Sequence, residues 1–142
     1  RALERWETEG EIKPFRDNLR PTKDYKVFMV GLKRNRDQLY QRIEKRVDGF
    51  IQAGLVEEVE KLLGRGLSPQ DVSMKGIGYK EIIPFLEGKV SLEEAKEEIK
   101  KNTRNLAKRQ MTWFRSYSDV KWFDLSEVDR PVEEMVQWWT NR

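Results

Sequence analysis

The sequence predicts an α/β fold that is mostly helical, with about two strands contributing to a parallel sheet. Three observations lead to it. Apolar residues recur at helical spacing over most of the 142 residues. Two stretches, Tyr25–Leu32 and Val120–Leu125, are short β-rich runs instead. The first is nearly continuously apolar after Lys26, the pattern of a strand covered on both faces. Two strands so far apart in the chain do not make a stable sheet alone, so they read as contributions to a sheet completed by other strands.

Taken in order, the chain opens on Arg1-Ala-Leu-Glu-Arg-Trp-Glu7, a helical pattern over Ala2–Thr8 that ends at Gly10. Neither a Met nor a capping residue precedes it, as expected of a piece cut from a longer protein. Pro14 and Pro21 break the polar connector that follows. After the first strand, Asp37 opens a long amphipathic helix to about Ala53, and Gly54 ends it. A second helix over Leu55–Leu63 stops at Gly64 and Gly66, and Ser68–Lys75 is a loop. Gly76-Ile-Gly-Tyr-Lys-Glu81 leads into a helix that Pro84 kinks or ends by Gly88. Ser91-Leu-Glu-Glu94 is a capping box for a helix running from Leu92 to about Arg115. Pro131 begins the last helix, through Trp139. No internal repeat interrupts a length that suits one domain.

Composition narrows the function. Lys+Arg 28 against Asp+Glu 25 leaves a net charge of only +3, so placement of charge matters more than its sum. Acids gather in Glu57–Glu60 and Glu93–Glu98, bases in Arg34–Arg46 and Lys100–Arg115. That segregation favours an anionic partner for selected faces. With no Cys and no His, disulfides, a zinc site of the usual ligands and any His- or Cys-based nucleophile are excluded. No apolar run reaches membrane-spanning length and no signal peptide is visible, so a cytoplasmic protein without membrane attachment is expected.

Three features could carry chemistry. The helix from Leu92 sets Leu92, Ala95, Ile99, Leu106 and Trp113 on one side and Lys101, Arg104, Lys108 and Arg115 nearly opposite. Lys100 to Ser118 contains no acid, whereas a merely solvated face normally mixes signs. Either that face is solvated or a polyanion lies along it. Its polar edge, Thr103, Arg104, Lys108, Arg109 and Gln110, mixes phosphate-gripping cations with amides able to read a base edge or ribose hydroxyl. Met111, Trp113 and Phe114 read as core. The second feature is Arg46, which projects about 20° from Leu39 on the apolar seam of Leu39, Ile43, Val47, Phe50 and Ile51. A guanidinium there needs a carboxylate, in an internal salt bridge, or a phosphate. The third is Lys75-Gly-Ile-Gly-Tyr-Lys80, either a plain loop or a cradle of backbone N–H groups for a phosphate, flanked by lysines.

Five blocks carry a resemblance in order and spacing: Arg1-Ala-Leu-Glu4, Leu39-Tyr-Gln-Arg-Ile-Glu-Lys-Arg-Val-Asp48, Gly54-Leu-Val-Glu-Glu-Val59, Gly76–Glu81 and Thr103–Arg115. Together they resemble the C-terminal half of a bacterial tRNA dimethylallyltransferase, across essentially the whole chain. The resemblance implies a P-loop-kinase-like fold, with an inserted helical domain of which a segment could precede residue 1. It implies transfer of a dimethylallyl group from dimethylallyl diphosphate to the exocyclic amine of the adenosine 3′ of the tRNA anticodon, with Mg2+, by a monomer. Arg46 then corresponds to an arginine holding the diphosphate. Lys75, Gly76, Ile77, Gly78, Tyr79 and Lys80 correspond to one tRNA-touching segment. Thr103, Arg104, Asn105, Leu106, Ala107, Lys108, Arg109 and Gln110 correspond to another, and Arg1 to the end of a third. The family's Gly-rich phosphate loop and its aspartate base are not among these residues. The full-length protein is therefore expected to be an enzyme, Mg2+ to be bound mainly elsewhere in it, and this portion alone to be inactive. Two other classes stay open: a non-catalytic RNA-binding helical module, which needs the cationic face but not Arg46, and a transferase acting on free adenine nucleotides, which needs the reverse.

Overall fold

The computed structural model describes residues 28–127 and 129–141. The expected Ala2–Thr8 helix, the connector with Pro14 and Pro21, and Arg1 lie outside the described residues. The described order is β1 (Met29–Lys33), α1 (Arg36–Gln52), α2 (Leu55–Gly64), a 3-10 turn (Val72–Lys75), α3 (Tyr79–Leu86), α4 (Leu92–Phe114), β2 (Val120–Asp124) and α5 (Pro131–Thr140).

Local chemistry sets most of these boundaries. The Asn35 side chain caps α1 by accepting from Asp37 N at 2.8 Å. At the start of α4, Ser91 Oγ accepts from Glu94 N at 3.2 Å while Glu94 Oε2 accepts from Ser91 N at 2.7 Å. This is the reciprocal cap that the sequence predicts. Pro131 sits in the first turn of α5, where its missing N–H costs nothing. Pro84 lies inside α3, which continues two residues past it to Leu86.

The core lies among α1, α2, α3 and the first half of α4. Ile43 and Val47 of α1, Val59 of α2, Met74 of the 3-10 turn, Ile82 and Ile83 of α3, and Ala95 and Ile99 of α4 form one buried cluster. Val59, Met74 and Ile82 are completely shielded, each contributing roughly 1.5–3 kcal/mol of burial. Between α1 and α4, Asp48 lies 3.4 Å from Lys96 Nζ and 3.6 Å from Lys100 Nζ. No residue of α4 beyond Ile99 is buried, so the second half of this helix runs past the core. Leu106, Trp113 and Phe114, expected on a packed face, are exposed for that reason. Helical phase assigns a side to a residue, but burial requires a neighbour at that height.

β1 and β2 pair in parallel, with Gly31 opposite Trp122 and Lys33 opposite Asp124. The two strands thus find each other, as members of one parallel sheet. The expectation that the first strand is covered on both faces does not hold: Met29, Val30 and Leu32 are exposed. Covering is confined to one face, where Phe28 and Phe123 meet Trp138 edge-on at 6.0 and 6.2 Å between centroids. Among the described residues no helix is long and apolar enough to cross a membrane.

Candidate anion-binding site

Both strands run toward one edge, and β1 passes through Arg34 and Asn35 directly into α1. Ligands of parallel sheets bind outside the carboxyl ends of the strands, so this edge is where a site belongs. A groove of about 1,110 Å³ reaches from this edge back along the sheet, lined by all of β1, by Val120 and Trp122 of β2, by the start of α1 and by the second half of α4. Among the described residues its lining includes Lys33, Arg34, Arg36, Lys108 and Arg115, and no Asp or Glu. Met29, Met111, Phe114 and Trp122 supply apolar surface. Such a groove receives an anion at its cationic rim and an apolar body against its floor.

The rim cations are held to different degrees. Arg34 Nη1 donates to Leu125 O at 3.2 Å and to Gln38 Oε1 at 3.3 Å, which fixes it at the strand end. Arg36 stacks over Tyr40 at 5.1 Å. Lys33 is 3.4 Å from Asp124. Asp124 is held below the usual carboxylate range because it accepts the Ser126 backbone N–H, reinforced by the Ser126 hydroxyl and by Lys33. Lys108 and Arg115 have no ion-pair partner among the described residues. Arg34 and Arg36 were legible in the sequence only as part of a basic stretch. The signal that singles them out is their place immediately after a strand.

The predicted cationic face of α4 proves to be two segments. In the first, Lys100 pairs with Glu97 at 2.9 Å and Lys101 with Glu98 at 3.0 Å. Their acids precede Lys100, one turn back, where the acid-free window does not look. Arg104 Nη1 is 3.6 Å from Glu44 and its guanidinium stands 5.9 Å over the Tyr40 ring. Thr103 Oγ1 is occupied by Ile99 O at 2.8 Å. In the second segment Lys108, Arg109 and Gln110 are exposed, with Asn105 and Leu106 beside them and Ala107 half-buried. Lys108, Gln110 and Ala107 reach the groove.

The Lys75–Lys80 loop is built differently from its expected form. Gly78 is buried, at φ 106° and ψ −59°, a conformation reserved in practice for glycine. Its N–H is not free for a phosphate, because Glu81 Oε2 accepts it at 2.7 Å. An internal carboxylate already holds the position expected for an external anion. Lys75, Gly76 and Lys80 stay exposed, Ile77 and Tyr79 are half-buried, and the Tyr79 hydroxyl donates to Glu58. That bond, with burial and the nearby negative charge, raises the Tyr79 pKa.

The expected direction of Arg46, into the buried side of its helix, is not the one observed. Arg46 is exposed, outside the groove, with its guanidinium 5.0 Å over the Phe50 ring, and Phe50 is itself exposed. The buried seam of α1 is only Ile43 and Val47. A long side chain whose Cα lies at the seam's edge carries its charged end outward. Neither an internal salt bridge nor a buried anion is needed at Arg46.

Fold and groove together define a helix-rich part of an α/β protein with a cation-rimmed groove along its parallel strands. Comparison with known proteins gives that class a family. The IPP transferase family model matches residues 1–117, and the chain belongs to this family. It is 50% identical over 130 residues to the tRNA dimethylallyltransferase of Alkaliphilus oremlandii, covering 91% of this chain and 42% of that protein. With the same-named protein of Clostridioides difficile it shares 46% over 135 residues, 95% of this chain and 43% of the relative. The chain thus spans about two fifths of these curated relatives. Among solved structures, the full-length tRNA isopentenylpyrophosphate transferase of Bacillus halodurans matches 83% of this chain and 38% of its own, with 43% identity and a TM-score of 0.74. A tRNA isopentenylpyrophosphate transferase from Staphylococcus epidermidis matches 99% and 47%, with 33% identity and a TM-score of 0.77. The helical architecture with two parallel strands is therefore that of IPP transferase structures.

Proposed function

We propose that this chain is the tRNA- and diphosphate-gripping portion of a tRNA dimethylallyltransferase. The observation that carries the reading is the groove, whose described lining has no Asp or Glu and joins Lys108 and Arg115, without ion-pair partners among the described residues, to Arg34, Arg36 and apolar surface. Phosphates of an anticodon loop would lie along Lys108 and Arg109, and an allylic diphosphate, anionic at one end and apolar at the other, matches the groove's two kinds of lining. In the transfer, the adenine exocyclic nitrogen bonds to the allylic carbon while the carbon–oxygen bond to diphosphate breaks, and the nitrogen gives up a proton to a base that the family resemblance places outside these residues. Negative charge grows on the departing diphosphate, and cations set against it act where charge develops. Arg46 is proposed for that role on the family resemblance alone, since its exposure removes the argument from burial.

The acceptor adenine must leave the loop stack, so the protein has to hold a splayed strand by its backbone. Among the described residues no three Asp and Glu side chains gather into a metal-binding group. Mg2+ is usually held by only one or two carboxylates with substrate phosphates, and on the family resemblance its site is proposed to lie mainly elsewhere in the full-length protein.

Binding of an anticodon stem-loop to the full-length protein tests the reading. The double variant Lys108→Ala/Arg109→Ala should weaken binding at least tenfold at moderate salt while leaving the fold intact. Equal affinity for wild type and variant would overturn it.

A further inference from the structure

The two stretches proposed to touch tRNA meet at a single carboxylate. Lys75–Lys80 ends one residue before Glu81, and Thr103–Gln110 begins one residue after Asn102. Glu81 is buried, at 6% exposure, the only polar or charged residue so enclosed among those described. Its Oε2 accepts the Gly78 N–H at 2.7 Å, and its Oε1 accepts Asn102 Nδ2 at 2.8 Å. Lys80 Nζ stands 3.5 Å from Oε1. Asn102 also reaches Glu98 Oε1 at 3.3 Å, on its own helix. One oxygen therefore fixes the loop at its glycine-only turn, and the other fixes α4 where its exposed basic segment begins. Burying a carboxylate is costly unless every oxygen is engaged, so the site tolerates few alternative registers.

We propose that Glu81 is a positioning residue that sets the loop of Lys75–Lys80 against α4, so that both engage one RNA strand together. The proposal rests on the tRNA-gripping reading above. It makes a prediction opposite in sign to simple electrostatics. Glu81→Gln removes a negative charge beside Lys80, which by charge alone should tighten RNA binding. A carboxamide, however, has one acceptor and one donor end. If its oxygen takes the Gly78 N–H, its amide faces Asn102, which can accept only by turning its own amide over and giving up Glu98, so the link to α4 is weakened.

The experiment measures anticodon stem-loop affinity in the full-length protein for wild type, Glu81→Gln, Asn102→Ala and the double variant, with circular dichroism to verify folding. Glu81→Gln should bind about tenfold more weakly despite its added positive charge, and Asn102→Ala several-fold more weakly. In the Asn102→Ala background Glu81→Gln should add little, because the glutamine oxygen can take Gly78 N–H while its amide meets no donor. Unchanged or tighter binding by folded Glu81→Gln overturns the proposal, as do strictly additive effects. Where Glu81→Gln fails to fold, unchanged affinity in Asn102→Ala overturns it alone. Wild-type protein that does not bind the stem-loop sinks the tRNA reading itself, a result distinct from binding that ignores Glu81.

Discussion

The guanidinium of Arg46 lies over the ring of Phe50, one helical turn further along α1, at 5.0 Å from the ring centre. Both residues are exposed, so the contact contributes about 0.5–1 kcal/mol at most. Arg46→Ala in the full-length enzyme is accordingly expected to leave stability nearly intact while slowing prenyl transfer strongly, with tRNA affinity close to normal. Kinetics with both substrates varied decide this. An unchanged kcat/KM for the prenyl diphosphate would remove Arg46 from the reaction.

The division of α4 into paired and unpaired cations separates two variants. Lys108→Ala should weaken RNA binding and make its salt dependence shallower by about one unit of slope, without loss of stability. Arg104→Ala gives up an ion pair with Glu44 and a place above Tyr40, so it should also lower the thermal midpoint slightly. Affinity titrated at several salt concentrations, beside thermal melts, tests the pair. Identical salt slopes for wild type and Lys108→Ala would mean that this face is only solvated.

Gly78 gives a stability prediction where the sequence suggested a binding one. From sequence, a β-branched residue there obstructs an incoming anion, and Gly78→Val would harm tRNA binding more than stability. In the structure Gly78 is buried at φ 106°, and its N–H is bound to Glu81. Gly78→Val should therefore destabilise by about 1–3 kcal/mol or more, because no β-branched residue adopts this backbone cheaply. Urea unfolding measures it, and a variant as stable as wild type would contradict the backbone assignment.

Gly31 carries a different constraint. A Cβ placed on it would lie 2.6 Å from the Trp122 ring on the paired strand. Gly31→Ala should displace that ring and cost about 1–3 kcal/mol. Gly31→Ala in a Trp122→Ala background should cost much less. Comparable losses in both backgrounds would mean that the ring is not what demands glycine.

Acid should loosen two local caps. Glu94 is held below its ordinary pKa by the Ser91 backbone N–H and then the Ser91 hydroxyl, and Asp124 by the Ser126 backbone N–H. Both folded-state pKa values are depressed. Their stabilisation is thus present above the unfolded values and lost as pH falls through the folded ones, below about pH 4. Glu94→Gln should flatten part of the acid limb of a stability-versus-pH curve. An acid limb identical to that of wild type would exclude the cap as its source.

What could be read from residues alone is what neighbouring residues decide among themselves. The capping box of Ser91 and Glu94, the first-turn Pro131 and the breaks at Gly54 and Gly88 are satisfied within a few residues, so the helices stand close to their expected limits. The blocks carrying the family resemblance are likewise a property of order and spacing. Tertiary structure decided whatever needs a partner distant in sequence. Trp113 has the right phase for burial but none of the described elements covers it, and Arg46 lies near a seam yet reaches solvent along its own length. Gly78 N–H meets Glu81 instead of an outside anion, and that carboxylate is held from α4 by Asn102, 21 residues away. The groove likewise gathers residues far apart in the chain, Arg34 and Arg36 just after β1 with Lys108 and Arg115 near the end of α4. Periodicity gives each side chain a direction along its own element, and only packing determines what it meets there.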